Sequence, residues 1–139
     1  SQYFEIIVFT ASHSCYANVV LNYLDPTGQY IHHRLFRESC IQTDEGIHVK
    51  DLRILANRDL NDVVLVDNAA YSFGFQIENG IPIIPFYNNK EDQELLSLIP
   101  YLKQFAYTKD MREMNKQTFK FHLYTQFGNS DKLLEKLLN

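Results

Sequence analysis

The sequence predicts an α/β protein in which helices flank a mainly parallel sheet, with a small β insertion. Two observations support this fold class. Residues 5–10 and 63–67 form continuous apolar runs rich in β-branched residues, as do strands buried on both faces of a parallel sheet. The first run is followed by a helical pattern over residues 11–24, and strand followed by helix is typical of βαβ units. A chain of 139 residues fits one domain with its own core.

The first half of the chain is predicted to contain a strand, a helix and the insertion. The helix at residues 11–24 has apolar side chains three and four positions apart, which we expect to face the core. These are Tyr16, Val19, Val20, Tyr23 and Leu24. Three short strands are then expected, at residues 30–36, 40–43 and 47–50. The last two flank a hairpin turn at residues 44–46, and we assign all of residues 30–50 to the insertion.

The second half continues the alternation of strands and helices. A second parallel strand is expected at residues 63–67, and a third at 81–85 lies at an edge because it contains two prolines. A helix at residues 92–105, with its cap at 89–92, has one apolar face. That face consists of Leu95, Leu98, Ile99, Leu102 and Phe105. We divide the chain into a main domain at residues 1–105 and a helical tail at 106–139, with helices at 110–119 and 131–138.

Composition excludes several classes of protein. The formal net charge is −4, which argues against nucleic-acid binding through bulk electrostatics. Two cysteines far apart fit reduced thiols inside a cell better than a secreted disulfide framework. No apolar run approaches the ~18 residues that a membrane-spanning helix needs. We therefore expect an intracellular protein with no membrane span in this chain.

Polar side chains follow the two clearest strands. Thr10 ends the first, and Asp67 with Asn68 ends the second. Ligands of open α/β sheets bind at the carboxyl ends of strands, and these oxygens suit a phosphate group and Mg²⁺. The alternative is that they only satisfy backbone groups at the strand ends. Lys50, after a short strand, either neutralises a phosphoryl group or is an ordinary surface lysine.

Other polar residues give weaker signals. Arg34 and Arg37 suit bidentate phosphate contacts, or else lie on a solvated strand face. His32 and His33 are rejected as a pair of metal ligands, because neighbouring residues of a strand point to opposite faces. Neither cysteine has a partner at zinc spacing, and the closeness of a histidine to Cys15 fits a helix start better than thiol catalysis.

The order of several short motifs resembles one known family. The motifs are VFTAS at residues 8–12, LFRESC at 35–40, VKDL at 49–52, NRDL at 57–60, LVDN at 65–68, ENGIPI at 78–83 and ELLSLIPYL at 94–102. Together they resemble the phosphatases that act on the C-terminal domain of RNA polymerase II, which belong to the haloacid dehalogenase superfamily. YTKDMR at residues 107–112 further resembles the Dullard-type members of the nuclear envelope.

The resemblance implies a Rossmann-like fold, an aspartate nucleophile and Mg²⁺. It also implies roles for six residues. Thr10 would hold the phosphoryl group, Lys50 would neutralise it, Asp67 and Asn68 would position Mg²⁺, and Arg37 with Ser12 would bind the phosphopeptide.

The chain also departs from that family. The nucleophile and general acid of the family lie in an Asp-x-Asp-x-Thr motif on the central first strand, and this sequence has no such motif. We therefore expect that an upstream segment or another chain supplies this strand, since its absence leaves buried backbone groups unpaired at ~1–3 kcal/mol each. Residues 69 and 70 are alanines where the family commonly has Ser-Pro, and His13 replaces a hydrophobic specificity residue.

Two functions follow as expectations. The first is an Mg²⁺-dependent protein serine/threonine phosphatase whose nucleophile strand lies outside this chain, which alone is inactive; the family places such enzymes in the nucleus or nuclear envelope. The alternative is a non-catalytic assembly subunit, similar to the receptor subunit of the mitochondrial inner-membrane protein translocase. The first predicts a phosphoprotein substrate, and the second a stable mitochondrial complex.

Overall fold

The computed structural model describes residues 2–123. Its regular structure includes α-helices, short strands and several 3₁₀ segments. The helices are α1 (Ser14–Leu24), α2 (Glu94–Gln104) and α3 (Met111–Phe119). The strands are β1 (Ile7–Phe9), β2 (His33–Leu35), β3 (Ile41–Gln42), β4 (His48–Val49), β5 (Leu65–Asp67) and β6 (Gly80–Pro82). The helix and break predicted at residues 128–138 lie outside the described residues.

The first βαβ unit has the predicted parallel strands, but its second strand comes from residues that we had assigned to the insertion. β1 continues through α1 into β2, and the two strands pair in parallel with Val8 opposite Arg34. Residues 33–35 therefore belong to a parallel strand pair, and assigning all of residues 30–50 to an insertion was wrong. Within residues 30–50, the antiparallel pair is the β3–β4 hairpin. A three-residue strand has too little alternation to distinguish a parallel partner from a hairpin strand.

The second parallel pair consists of β5 and β6, with Val66 opposite Ile81. In the described part of the chain, β1 pairs only with β2 and β5 only with β6, so each has one free edge. The Asp67 carbonyl accepts a hydrogen bond from the Ile83 N–H at 3.2 Å, so that peptide group faces β6. Because peptide groups alternate in a parallel ladder, those of Val66 face the free edge.

The same alternation identifies which backbone groups of β1 lie at its free edge. The Ile6 carbonyl accepts from the His32 N–H and the Thr10 N–H donates to the Leu35 carbonyl, both at 2.9 Å, so these groups face β2. The peptide groups of the intervening Phe9 then face away from β2. Two parallel strands thus each present unpaired backbone donors and acceptors.

The core lies mostly around β5 and β6. One buried cluster contains Leu52, Leu65 and Phe73, and a second contains Ile81, Phe105 and Met111. Leu65 joins the first cluster whereas Val66 packs against the second, as expected for successive side chains of a strand. Since α3 contributes Met111, the predicted helix at residues 110–119 packs directly on this strand pair.

The predicted core face of α1 is largely exposed. The helix buries Ala17 and Leu21 instead. Tyr16, Val19, Tyr23 and Leu24 are 64–86% exposed and Val20 is 38% exposed. The prediction was wrong for these side chains because periodicity identifies an apolar face but not what covers it. None of the described elements covers this one.

α2 is covered on part of its predicted face. Leu98 and Leu102 pack against the cluster around Phe105, whereas Leu95 and Ile99 are 66% and 42% exposed. The predicted cap at residues 89–92 was wrong, because the N-cap residue is Gln93 and makes no side-chain cap hydrogen bond. The Asp92 carboxylate, one residue earlier, accepts a hydrogen bond from the Glu94 N–H at 3.1 Å. Across residues 2–123, no helix combines the length and apolar character needed to cross a bilayer.

Candidate functional site

A cavity of about 430 Å³ lies at the carboxyl end of β5. Its wall comes from the segments that follow β1 and β5 and from the β3–β4 hairpin with Lys50. The lining residues are Ala11, Gly46, Ile47, His48, Lys50, Asp67, Asn68, Ala69, Tyr71 and Ser72. Three side chains predicted from two separate motifs, Lys50 from one and Asp67 with Asn68 from the other, therefore meet in one cavity.

Lys50 and Asp67 form a buried ion pair. The Lys50 Nζ donates to Asp67 Oδ2, and the two side chains are only 10% and 8% exposed. The Lys50 backbone N–H donates to the Ser72 carbonyl at 2.8 Å, and Nζ lies 6.0 Å from the centre of the Phe9 ring. These contacts fix the lysine in the cavity wall, so the reading of Lys50 as an ordinary surface lysine was wrong.

Asp67 and Asn68 offer neighbouring side-chain oxygens. Besides the lysine, Asp67 accepts a hydrogen bond at its Oδ1 from the Ala69 N–H at 2.8 Å, which fixes the carboxylate plane. Mg²⁺ is usually bound through one or two carboxylates together with waters and phosphate oxygens, so these two residues fit part of a magnesium site. No group of three or more histidine, cysteine or acidic side chains within residues 2–123 could hold a metal.

Thr10, Ser12 and Arg37 lie together beside the cavity rather than in its lining. The Ser12 N–H donates to Thr10 Oγ1 at 3.1 Å, and the Arg37 N–H donates to the Ser12 carbonyl at 3.1 Å. The Arg37 guanidinium donates through Nε to the Ala11 carbonyl at 2.6 Å, and its Nη1 lies 2.8 Å from Nε2 of His13. Arg37 is thereby fixed to the segment after β1, whose Ala11 lines the cavity.

Asp51 supports the chain next to Lys50. A side-chain hydrogen bond from Arg53 lowers the Asp51 pKa from 3.8 to about 2, and burial opposes this shift only in part. Gln76 donates to the Asp51 carboxylate and accepts from the Leu52 N–H, both at 2.9 Å. The backbone that follows Lys50 is thus held on both sides.

The remaining sequence candidates lie outside this chemistry. Arg34 donates to the Asn18 and Asn22 side chains, so it contacts α1 and not an anion. His32 accepts from the Ile6 N–H through Nδ1, whereas His33 pairs with an acidic side chain, which agrees with rejecting them as a metal pair.

Both cysteines are free thiols. Burial raises the Cys40 pKa, so this thiol stays protonated and is a poor nucleophile.

Among the polar residues that line the cavity, sequence reasoning missed His48, Tyr71 and Ser72. For His48 a signal was present: it lies two positions before Lys50 in a strand, and such residues share a face. For Tyr71 there was none, because residues 70–79 form a kinked 3₁₀ segment with no regular hydrophobic pattern.

Comparison with known proteins gives a consistent result. The sequence model of the NLI interacting factor-like phosphatases matches residues 1–112. CTD small phosphatase-like protein 2 of Dictyostelium discoideum is 45% identical over 122 residues, which is 88% of this chain and 21% of that protein.

Two further relatives cover about three quarters of this chain. A probable C-terminal domain small phosphatase of the same organism is 50% identical over 78% of this chain and 35% of its own length. The mitochondrial import inner membrane translocase subunit TIM50 of Candida glabrata is 42% identical over 76% of this chain and 21% of its own length. The chain therefore spans about a fifth to a third of these three relatives.

Proposed function

The chain belongs to the family of NLI interacting factor-like phosphatases, and we propose that it forms most of a domain that hydrolyses phosphoserine or phosphothreonine in proteins. One observation carries this proposal. Lys50 from one motif, and Asp67 with Asn68 from another, line one cavity at the carboxyl end of a parallel strand. A fixed lysine at such a place suits a phosphoryl group, whose charge it offsets.

Each nearby side chain has a proposed task. Lys50 neutralises the phosphoryl oxygens, and the Thr10 hydroxyl donates to one of them. Arg37 and Ser12, which hydrogen-bond to each other through their backbones, hold the phosphopeptide beside the cavity. Asp67 and Asn68 would hold Mg²⁺, which would supply further charge neutralisation.

The nucleophile is proposed to come from a strand outside this chain. The free edges of β1 and β5 support such a strand, since it would pair with both and end beside Thr10 and Asp67. An aspartate at its end would attack phosphorus, forming a P–O bond while the bond to the substrate oxygen breaks. A second aspartate would protonate that oxygen, and water would then hydrolyse the aspartyl phosphate.

The test is hydrolysis of p-nitrophenyl phosphate by the chain combined with a segment containing an Asp-x-Asp-x-Thr strand, either fused upstream or added separately. We expect Mg²⁺-dependent turnover by the combination and none by the chain alone. Lys50→Met in the combination should reduce kcat/KM at least ~100-fold, since it removes an electrostatic contact made in the transition state. Lys116→Met is the control, because Lys116 is paired with Glu78 and does not line the cavity. Absence of turnover in a folded combination would refute the proposal.

A second candidate function is a non-catalytic assembly subunit. The similarity to a translocase subunit and the exposed apolar face of α1 favour it. It predicts a stable complex that persists when Thr10 or Lys50 is substituted, and it implies a mitochondrial location, whereas the phosphatase proposal implies the nucleus or nuclear envelope. Loss of the complex on Lys50→Ala in a protein that stays folded would count against it.

A further inference from the structure

His48 occupies a prominent place in the cavity wall. It lies in β4, where it is opposite Gln42 of β3. The next residue, Val49, is buried on the other face of the strand, and Lys50 follows. Because side chains alternate along an extended backbone, His48 and Lys50 project to the same side, and both line the cavity.

The imidazole of His48 is available to a ligand. The side chains of His13, His32 and His33 each have a hydrogen-bond partner, namely Arg37, the Ile6 N–H and Glu5. None of the hydrogen bonds within residues 2–123 uses the His48 imidazole, although this residue is half-buried. A polar ring in a cavity wall with no protein partner can donate to whatever occupies the cavity.

The cavity also needs such a donor. A phosphoryl group presents three peripheral oxygens, whereas Lys50 already directs Nζ at Asp67. Asn68 and Tyr71 lie on the wall formed after β5, and His48 lies on the wall formed by the hairpin. A donor there would contact an oxygen that the β5 side does not reach.

We propose that His48 donates an imidazole N–H to an oxygen of the phosphoryl group in this cavity. The proposal rests on the proposed phosphate chemistry and extends it to a residue of the hairpin. It makes the β3–β4 hairpin part of the binding site, so that the hairpin contributes to substrate affinity.

The test uses the full chain with inorganic phosphate as the probe. Phosphate binding is measured by titration calorimetry and by the ring resonances of His48 in NMR spectra. His48→Phe keeps a ring without a donor, and His48→Gln keeps a donor. Because a hydrogen bond to a charged group is lost, we expect His48→Phe to raise Kd about tenfold and His48→Gln to raise it about two- to threefold. The matched control is His33→Phe, which changes a histidine of β2 outside this cavity and should leave Kd unchanged.

The outcomes separate this inference from the proposed function. A shift of the His48 resonances with phosphate, together with the expected order of Kd values, supports it. If wild type binds phosphate, Lys50→Met abolishes binding and His48→Phe binds as wild type does, the role of His48 is overturned while the phosphate site stands. If wild type does not bind phosphate at all, the role of His48 is overturned, whereas the proposed function is judged separately by turnover of the combination. His48→Gln guards against loss of folding in His48→Phe, and thermal unfolding of each variant checks this.

Discussion

Replacing Lys50 by methionine should destabilise the fold as well as the site. The substitution keeps the length of the side chain but removes the cation that pairs with Asp67. Both side chains are about nine-tenths buried, so the remaining carboxylate cannot regain full hydration. Breaking a buried pair on one side is destabilising by about 3–5 kcal/mol. We expect a value near the lower limit, about 3 kcal/mol, because Asp67 keeps its hydrogen bond from the Ala69 N–H.

The assay is equilibrium unfolding in urea, supported by thermal melts. For a chain of this length, a loss of about 3 kcal/mol lowers Tm by about 10 °C. The double variant Lys50→Met with Asp67→Asn removes both charges, and we expect it to lose only about 1 kcal/mol. Lys116→Met is the control. Its pair with Glu78 spans 3.6 Å between side chains 39% and 37% exposed, and such exposed pairs are worth less than about 1 kcal/mol.

The reasoning predicts strong coupling between the two positions. If Lys50→Met lost less than about 1 kcal/mol, the carboxylate would be solvated and the pair would not be a buried one. If the double variant lost the sum of the two single losses, the lysine and the carboxylate would act independently. Either result would contradict the geometry on which the site is built.

Two further predictions concern the core and the backbone beside the site. Gly80→Ala should be destabilising by about 3 kcal/mol or more, because its Cβ would lie 2.2–2.5 Å from ring atoms of the fully buried Phe73. Gly74→Ala is the control, since its Cβ meets nothing within 4 Å, and urea midpoints of the two variants should differ clearly. The second prediction is that Asp51 loses a contribution of about 1–2 kcal/mol to stability as pH drops from 4 toward 2, because its folded-state pKa is lowered to about 2 and its contribution is complete only above its unfolded pKa. The value is reduced for screening because Arg53 is 66% exposed. Unfolding free energies measured across this range should show a shallower pH slope in Asp51→Asn, and an unchanged slope would contradict the assignment.

Local patterns predicted where the main strands lie, but not which face of a helix is covered. The runs that contain β1 and β5 are rich in β-branched residues, so their parallel pairing followed from composition. Their full burial did not, because β1 buries only Phe9 and β5 only Leu65. The face of α1 could not be assigned in the same way, because Val19 and Leu24 have helical spacing whether or not another element covers them. Coverage depends on tertiary neighbours, which a single helical pattern does not contain.

The site was predictable where it depends on strand ends. Asp67 and Asn68 follow a buried strand, and the rule that ligands bind at carboxyl ends places them in the cavity. Pairing of Lys50 with Asp67 was not predicted, because it joins a hairpin to a strand 17 residues away. Position 48 was predictable in principle from its alternation with position 50, but a two-residue strand gives only a weak signal.

The net charge of the cavity depends on which residues a strand paired with the free edges of β1 and β5 would bring to it. Lys50 can offset phosphoryl charge locally, but together with Asp67 it forms a pair whose net charge is zero. A strand that brought two further carboxylates to the ends of β1 and β5 would make the site negative, and phosphate would then approach only with an added cation and donors such as His48. A strand with apolar residues at the same places would leave a neutral cavity and an assembly module. Because the lysine–aspartate pair would be present in both cases, it does not distinguish the two functions. The residues of the proposed strand between β1 and β5 would distinguish them.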